Sequence, residues 1–511
     1  MGCGCGVQRV DKPEVQGVKS DAPEPPGRWS WPFSVVAAIA ASAAIMVLRL
    51  NTRSLVGDEG FTAEMVQEPW AAMLSDLTRI DYNMSLHYIV LKLWTSIAGT
   101  SEAALRLPSL VAAVVSLMVF YRLVVRLFDQ RVAQVATVLL ALNPYFLRAG
   151  LFARPYAFFI LWSVCATLVV VRALEQPSRK RWLLYGVVAV VGLHIHLLAT
   201  LIVLSHGVFA LLYQRGLKRF NFEAGAIILV FGLLPTAAFL APTDTLAWIG
   251  PFRMGQAVKV GLEVAGGGAF AVVVLALAAL GLLRPAPSRT DMTWLPAISL
   301  VVPLAVVFAL IPVQSLFDSN YFAMISAPLA LLAAFGLLRL FSARESWLVP
   351  AGLVFAAIGT TAALATNGIG DRQDWRGLAR MMDREVSPDD AVAFPNSYYR
   401  IVAEYYAADE GLGPYPPGQP ILPSSPWGSL SAYELDFLKR TGVQADHAVF
   451  EPVALAEDRI WIVGTGDQFD ASVESDLLSH GYVETKSITS YGVGAHLYIQ
   501  TVEDHEHDES G

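Results

Sequence analysis

Asp58 and Glu59 form a carboxylate pair directly after the first long apolar run of the sequence, and glycines flank the pair in the segment GDEGFT. A carboxylate at such a point has hydrocarbon behind it and water in front, so burial raises its pKa unless a cation lies close by. Such a pair can do general acid–base chemistry. A solvated acidic loop with turn glycines is the alternative interpretation, and these residues alone leave both open.

Basic and imidazole side chains at three later points could serve an anionic substrate. Arg148 and Arg154 bracket a short loop in LRAGLFARPYA, where each either binds an anion through its bidentate fork or extends to lipid phosphate. His194 and His196 occupy a turn between two apolar runs. They could donate to a phosphate or orient Asp58, and equally they could simply satisfy the turn.

The elements that must position these groups are membrane helices. Of the 511 residues, 55% are hydrophobic and only 16% are charged, against about 25% in soluble proteins. The apolar residues fall in runs close to the length of a membrane span. We therefore predict an α-helical polytopic membrane protein with about eleven transmembrane helices, near 31–50, 105–128, 132–148, 156–174, 182–195, 197–214, 223–241, 257–283, 293–312, 321–340 and 347–366.

Lysine and arginine set the orientation of these helices. Their clusters lie at every junction from an even to an odd helix, which predicts a cytoplasmic amino terminus and an extracytoplasmic carboxyl terminus in the plasma (inner) membrane. An active site is then built from the outer loops 51–104, 149–155, 195–197, 242–256 and 313–320. The net charge of −8 comes without a basic patch, so nucleic acid is not an expected partner. Three cysteines encode no disulfide framework.

Four segments follow from composition. We expect residues 1–29 to be a disordered cytoplasmic leader, 30–369 a transmembrane domain, 370–501 a small extracytoplasmic α/β domain, and 502–511 an acidic disordered tail. Within the loop 51–104 we expect two interfacial helices, near 61–78 and 86–97. The outer domain is expected to have strands near 391–395 and 459–466 and helices near 375–386, 397–408 and 471–480.

Five elements in this order resemble bacterial members of the GT-C superfamily of membrane glycosyltransferases, in the branch of protein O-mannosyltransferases and aminoarabinose transferases. They are GDEGFT at 57–62, DYNMSLHYIVLKLW with SEAALRLPSL between 81 and 110, ALNPYFLRAGLFARPYAFF at 141–159, HIHLLA at 194–199, and QDWRGLARMMDREVSPDDAV at 373–392. The resemblance covers nearly the whole chain. It implies a dolichyl- or polyprenyl-phosphate-sugar-dependent enzyme.

The resemblance implies transfer of a mannose-like or arabinose-like sugar, with inversion, from a polyprenyl-phosphate carrier to a lipid, glycan or protein acceptor at the outer face. It assigns the role of general base to Asp58, with Glu59 assisting, and places Arg154 on the phosphate. Asp81 is the second carboxylate, which in some members holds a divalent cation; a helix-capping role is the alternative. No other cofactor is implied.

Two departures from the family pattern affect the donor site. The basic residue and two prolines that follow the second acid in the family are missing after Asp81. The later Arg-Tyr pair of the family is Asn320-Tyr321 here, which suggests that a phosphate contact moves to another cation, such as Arg253. A transporter or flippase of lipid-linked glycans, or a non-catalytic assembly factor of the cell envelope, are the alternative functions.

Overall fold

The computed structural model describes residues 31–80, 82–214, 219–234, 251–283, 292, 294–313, 315–340, 358–360, 373–409, 417–422, 457–465 and 471–501. The predicted leader 1–29 and acidic tail 502–511 lie outside these ranges, as does most of the eleventh apolar run, 347–366. The proposed domain boundaries therefore stay predictions.

Helices dominate the first 340 residues, and each apolar run that the structure describes is a helix or a broken pair of helices. The helices are α1 Phe33–Arg49, α2 Gly57–Gln67, α3 Trp70–Leu77, α4 Ser85–Ala98, α5 Glu102–Leu127, α6 Gln130–Ala141, α7 Pro144–Gly150, α8 Tyr156–Glu175, α9 Arg179–Ile195, α10 Ala199–Gln214, α11 Arg219–Ile228, α12 Met254–Val264, α13 Gly268–Leu283, α14 Trp294–Leu310 and α15 Ser326–Leu340. Short 3₁₀ turns precede α4 and α15, and a π turn follows α11.

Three of the described helical segments are long and apolar enough to cross a bilayer: α5, α8, and the segment Ser319–Leu340 that ends in α15. Two broken pairs, α6 with α7 and α12 with α13, raise this number to five if each pair is one span. Four further apolar helices, α1, α10, α11 with its π turn, and α14, are shorter. The protein is thus a multi-pass membrane protein, and the total of eleven spans stays a prediction.

Glycines and a proline explain the two breaks. Between α12 and α13 the chain turns by 88°, and Gly266, Gly267 and Gly268 all have positive φ angles of 112°, 81° and 54°. Only glycine adopts such a run without strain. Between α6 and α7 the bend is 66°, where Pro144 begins the new helix and the Asn143 side chain caps it.

The loop 51–104, predicted to face outward, contains three helices rather than two. The predicted helix near 61–78 is α2 followed by α3, since Pro69 interrupts it, and the predicted helix near 86–97 is α4. Lys92 of α4 is buried, and its ammonium donates to the last carbonyls of α2, those of Val66 (3.0 Å) and Glu68. A cation at this end of α2 also complements the helix dipole.

The small carboxyl-terminal α/β domain matches the predicted one. Its helices are α16 Trp375–Glu385, α17 Ser397–Asp409 and α18 Ala471–Ser479, and its strands are β1 Ala391–Ala393, β2 Gln419–Leu422, β3 Arg459–Thr465, β4 Tyr482–Ser490 and β5 Val493–Gln500. The strand order is β2-β1-β3-β5-β4. The first three strands are parallel, whereas β5 runs antiparallel to both β3 and β4.

This domain and the first outer loop share one hydrophobic core. Phe61 and Met65 of α2 and Leu105 of α5 are buried in the same cluster as Trp375 of α16 and Val402 of α17. The outer domain therefore rests on the loop that carries the carboxylate pair.

Candidate active site

Asp58 lies in the first turn of α2, where the helix dipole favours a negative charge. Its side chain is half-buried, and its carboxylate makes no hydrogen bond or ion pair with the described residues. Asp58 nevertheless interacts electrostatically with Tyr156 at the start of α8 and with Asp318. An acid that is partly shielded from water and keeps its lone pairs can accept a proton from a substrate.

Glu59 has the opposite environment. Its side chain is fully buried, and its two oxygens accept hydrogen bonds from Nε and Nη2 of Arg106 at 2.8 and 2.6 Å. The backbone amides of Ala153 (3.0 Å) and Val56 (3.3 Å) donate to the same carboxylate. Burial alone would raise the pKa of Glu59, but the charge and hydrogen bonds of Arg106 outweigh it and hold the pKa below its ordinary value.

Arg106 belongs to one of the five sequence elements, but no role was predicted for it. Besides binding Glu59, it donates to the backbone carbonyls of Leu50 (2.8 Å), Arg53 (3.0 Å) and Ser54 (3.0 Å). It therefore fixes the path of the chain between α1 and α2. The available signal was an arginine within the apolar run 105–128, where a buried cation needs a counter-charge.

Arg154 is buried beside α2, as the predicted phosphate site requires. Its guanidinium donates to the Tyr88 hydroxyl (2.6 Å) and to the Thr62 hydroxyl (3.5 Å). Thr62 lies one turn after Asp58 and donates to its backbone carbonyl (3.0 Å). The predicted base and the predicted phosphate-binding arginine thus converge at one place, and the Glu59 contact with Ala153 fixes the residue next to Arg154.

Arg148 lies farther along the same outer surface. Its guanidinium donates to the side chains of Ser319 (3.0 Å) and Asn320 (3.1 Å), and it lies over the ring of Tyr145. Asn320 is the position where the family pattern given above predicts arginine. Arg148 therefore places its cation beside the position from which that arginine is missing.

Asp318 is a second carboxylate near Asp58 that the sequence reasoning missed. Burial, and in addition the charges of Asp58 and Glu263, raise the pKa of Asp318, while its hydrogen bond from the Asn320 amide and the charge of Arg148 act against this. Its signal was an acid at the outer end of an apolar run, in a loop poor in cations.

The two histidines are at the turn of the α9–α10 hairpin, where they were predicted. His196 is buried, stacks on Phe159 at 4.8 Å and meets the edge of Tyr321 at 5.4 Å. Its Nδ1 accepts from the Leu198 amide (3.2 Å), while its Nε2 has no hydrogen-bond partner among the described residues. Burial, with the charge of Arg154, lowers the pKa of His196 to about 3. His194 is half-buried and contacts the Tyr82 ring.

Of two further predicted residues, one lies away from this cluster and the other is outside the described residues. The Arg253 side chain is exposed at the start of α12 and makes no hydrogen bond or ion pair with the described residues. Asp81, predicted as a second acid and metal ligand, lies outside the described residues. Within the part of the chain that the structure describes, no three His, Cys, Asp or Glu side chains are placed to hold a metal ion.

Comparisons with known proteins agree with this architecture. The family model for dolichyl-phosphate-mannose-protein mannosyltransferase matches residues 85–239. The crystal structure of ArnT from Cupriavidus metallidurans bound to undecaprenyl phosphate is 15% identical and superposes with a TM-score of 0.58, covering 92% of this chain and 98% of that chain. The chain has the GT-C fold. The apo state of the same ArnT gives a TM-score of 0.56 at 15% identity, covering 91% of this chain and 97% of that chain. No curated protein matches the sequence.

The GT-C resemblance drawn from the five sequence elements is confirmed at the level of the fold. The matched family segment contains Arg148, Arg154, His194 and His196. Asp58 precedes that segment, so its role rests on the geometry around it and on the GDEGFT resemblance.

Proposed function

We propose that this protein transfers a sugar from a polyprenyl-phosphate carrier to an acceptor hydroxyl at the outer face of the membrane. The observation that carries the proposal is the contrast between two adjacent carboxylates. Glu59 accepts four hydrogen bonds and is neutralised by Arg106, whereas the carboxylate of Asp58 makes none with the described residues and lies beside the Arg154 region. Asp58 is therefore the general base, and Glu59 is a positioning residue.

The reaction balances with these groups. The acceptor hydroxyl oxygen attacks the anomeric carbon from the face opposite the phosphate, the bond between that carbon and the phosphate oxygen breaks, and the hydroxyl proton passes to Asp58. The anomeric centre is inverted, and the polyprenyl phosphate leaves with the bonding electrons. Hydrogen-bond donors fixed around that phosphate lower the activation free energy, because they stabilise the negative charge that develops on it.

Three groups are suited to the phosphate. Arg154 is held in place by its hydrogen bond to Tyr88 and has the planar guanidinium that pairs with phosphate oxygens. Because Nδ1 of neutral His196 accepts a hydrogen bond, its Nε2 carries the proton and is an available donor. Arg148, rather than the exposed Arg253, supplies the cation beside Asn320. His194 is assigned to the same donor site on its position alone.

Donor and acceptor chemistry follow from the same resemblance. The matching family model is named for transfer of mannose from dolichyl phosphate to protein, and the solved structure with this fold holds undecaprenyl phosphate. Both are polyprenyl phosphates, which supports a lipid-linked donor. We extend this to a mannose-like or arabinose-like sugar, an acceptor that is a lipid, glycan or protein, and a site on the outer face of the plasma membrane.

A divalent cation fits this site poorly on the described residues, since no trio of ligands is gathered there. The step written above therefore uses no metal ion. Asp81 stays a proposed metal ligand that metal titration of the purified protein would test.

The test is transfer by purified protein in lipid vesicles. Polyprenyl-phosphate sugars radiolabelled in mannose or arabinose are supplied with membrane extract as the acceptor source. We expect label in an acceptor for the wild type and loss of at least about 100-fold in rate for Asp58→Asn, since general-base catalysis contributes on that order. Asp389→Asn, which changes an exposed carboxylate of the outer domain, is the matched control and keeps the wild-type rate.

Three outcomes contradict all or part of the proposal. Label that crosses the vesicle membrane without reaching any acceptor indicates a transporter or flippase. Absence of both transport and transfer, with an outer domain that still binds envelope components, indicates an assembly factor. If Asp58→Asn is as active as the control, Asp58 is not the general base, even though transfer occurs.

A further inference from the structure

The glycines on either side of the carboxylate pair lie where the outer domain meets the membrane domain. A Cβ atom built on Gly60 lies 2.6 Å from Cγ2 of Val402 in α17, and one built on Gly57 lies 3.2 Å from Cβ of Tyr398. The ring of Phe61 in α2 stacks on Tyr398 with centroids 5.3 Å apart. Helix α17 thus lies directly on the turn of α2 that carries Asp58, and glycine permits this close approach.

Hydrogen bonds from the outer domain also hold the segment that leads into α2. The buried Tyr406 hydroxyl of α17 accepts from the backbone amide of Leu55 (2.6 Å) and donates to the Glu102 carboxylate. Arg376 of α16 pairs with the other Glu102 oxygen at 2.7 Å. The Arg376 backbone amide donates to the Ser54 hydroxyl (3.2 Å).

The same segment is held from the membrane side by Arg106, through the carbonyls of Leu50, Arg53 and Ser54. Residues 50–56 are therefore fixed between two sets of bonds, one from α5 and one from the outer domain. Leu55 precedes Asp58 by three residues, so a shift of this segment moves the acid. Displacement of a reacting group by about 1 Å can cost on the order of 100-fold in rate.

We propose that the carboxyl-terminal domain positions the general base, and that Tyr406 is the positioning residue through which it does so. This inference rests on the role proposed for Asp58. It assigns the outer domain a part in the chemistry although the described part of that domain places no side chain on the predicted base or phosphate groups. Tyr406 and Arg376 of this domain, together with Glu102 of α5, hold residues 50–56 in place.

The first test compares two neighbouring tyrosines of α17. Tyr406→Phe removes the hydroxyl that bonds Leu55 and Glu102 but keeps the ring. Tyr405→Phe removes a hydroxyl that donates to the Thr100 carbonyl (2.9 Å) rather than to Glu102, so it is the matched control. In the vesicle transfer assay we expect Tyr406→Phe to lower kcat on the order of 10- to 100-fold with KM for the lipid donor nearly unchanged. The control keeps the wild-type kcat within about twofold.

A second measurement does not depend on activity. Hydrogen–deuterium exchange of peptides covering 50–60 should become faster in Tyr406→Phe than in the wild type, because the Leu55 amide loses its acceptor, and should not change in Tyr405→Phe. Equal exchange in the two variants, or equal kcat, overturns the inference. If the wild type itself transfers no sugar, the proposed function fails, and the exchange experiment alone decides whether the outer domain holds this segment.

A second pair of variants gives an independent test if Tyr406→Phe folds poorly. Gly60→Ala pushes a methyl group against Val402 and should lower kcat. Adding Val402→Ala removes the opposing Cγ2 atom and should restore part of the loss, because the remaining contacts of that methyl are 3.5 Å or longer. A double variant no better than Gly60→Ala contradicts the docking of α17 as the cause.

Discussion

The site geometry predicts that Asp58→Asn and Glu59→Gln have different effects. The first should remove activity, and the second should lower the stability of the protein. Glu59→Gln leaves the Arg106 cation buried without its counter-charge. The new side-chain amide group also donates, so it faces the donors of Arg106 and Ala153 without an acceptor. Removing one partner of a buried ion pair costs about 3–5 kcal/mol. Asp58→Asn removes no hydrogen bond to the described residues, so it should cost no more than about 1 kcal/mol, the size of an interaction with the helix dipole.

The assay is unfolding of the purified variants in one fixed detergent and lipid mixture, by titration with a denaturing detergent and by thermal midpoint. Sugar transfer by the same samples is measured at a temperature where all are folded. We expect Asp58→Asn to be stable and inactive, and Glu59→Gln to have a lower free energy of unfolding by several kcal/mol. Arg106→Gln combined with Glu59→Gln should show a coupling of roughly 1–3 kcal/mol relative to the single variants.

The reasoning is refuted if Glu59→Gln unfolds at the wild-type midpoint, or if Asp58→Asn is destabilised as strongly as Glu59→Gln. Either result would mean that the two acids do not divide into a buried ion-pair partner and an available base. A stable Glu59→Gln protein without activity would move the base to Glu59.

Three further predictions follow. Arg154→Lys should lower the transfer rate on the order of 100-fold, because an ammonium cannot keep the Tyr88 bond and also pair with phosphate through a planar fork, and a rate within threefold of wild type would exclude the assigned role. Burial, with the charges of Glu404 and Glu68, raises the pKa of Glu64 to about 7. A raised carboxyl pKa means that the folded state favours the protonated form, so its stabilising contribution is fully present below about pH 4.5 and is lost as the pH rises through 7. The thermal midpoint of the wild type should therefore fall more between pH 5 and pH 8 than that of Glu64→Gln, and parallel pH profiles would contradict this. Lys92→Met should lower the free energy of unfolding by about 1–3 kcal/mol, measured by detergent titration, because the last carbonyls of α2 lose a buried donor; an unchanged value would contradict its capping role.

Hydropathy predicted the membrane helices well because a span needs a long apolar run whatever its neighbours are. It could not predict that the run at 257–283 is two helices at 88°, since the bend depends on three consecutive backbone angles at Gly266–Gly268. The prediction of one helix near 61–78 also did not take account of Pro69, which divides it into two helices.

The site was predicted only in part, for a geometric reason. Asp58 and Glu59 are adjacent, so on a helix their side chains point about 100° apart, and the sequence does not say which of them faces Arg106. Arg106 and Asp318 were missed because their partners are distant along the chain: Arg106 is 47 residues from Glu59, and Asp318 approaches Asp58 only through the fold. The alternative interpretation assigned the glycines of GDEGFT to a turn, whereas the structure shows that they make room for α17.

The bond between Leu55 and Tyr406 joins positions 351 residues apart. During synthesis the acid-bearing segment emerges early, while the helix that completes its surroundings emerges only after at least eight apolar segments have been inserted in the bilayer. A nascent or truncated chain therefore exposes Phe61 and lacks the Leu55 acceptor, so it reaches the membrane in an unfinished and inactive form. The proposed catalytic site is therefore completed last, when the carboxyl-terminal domain has been synthesised.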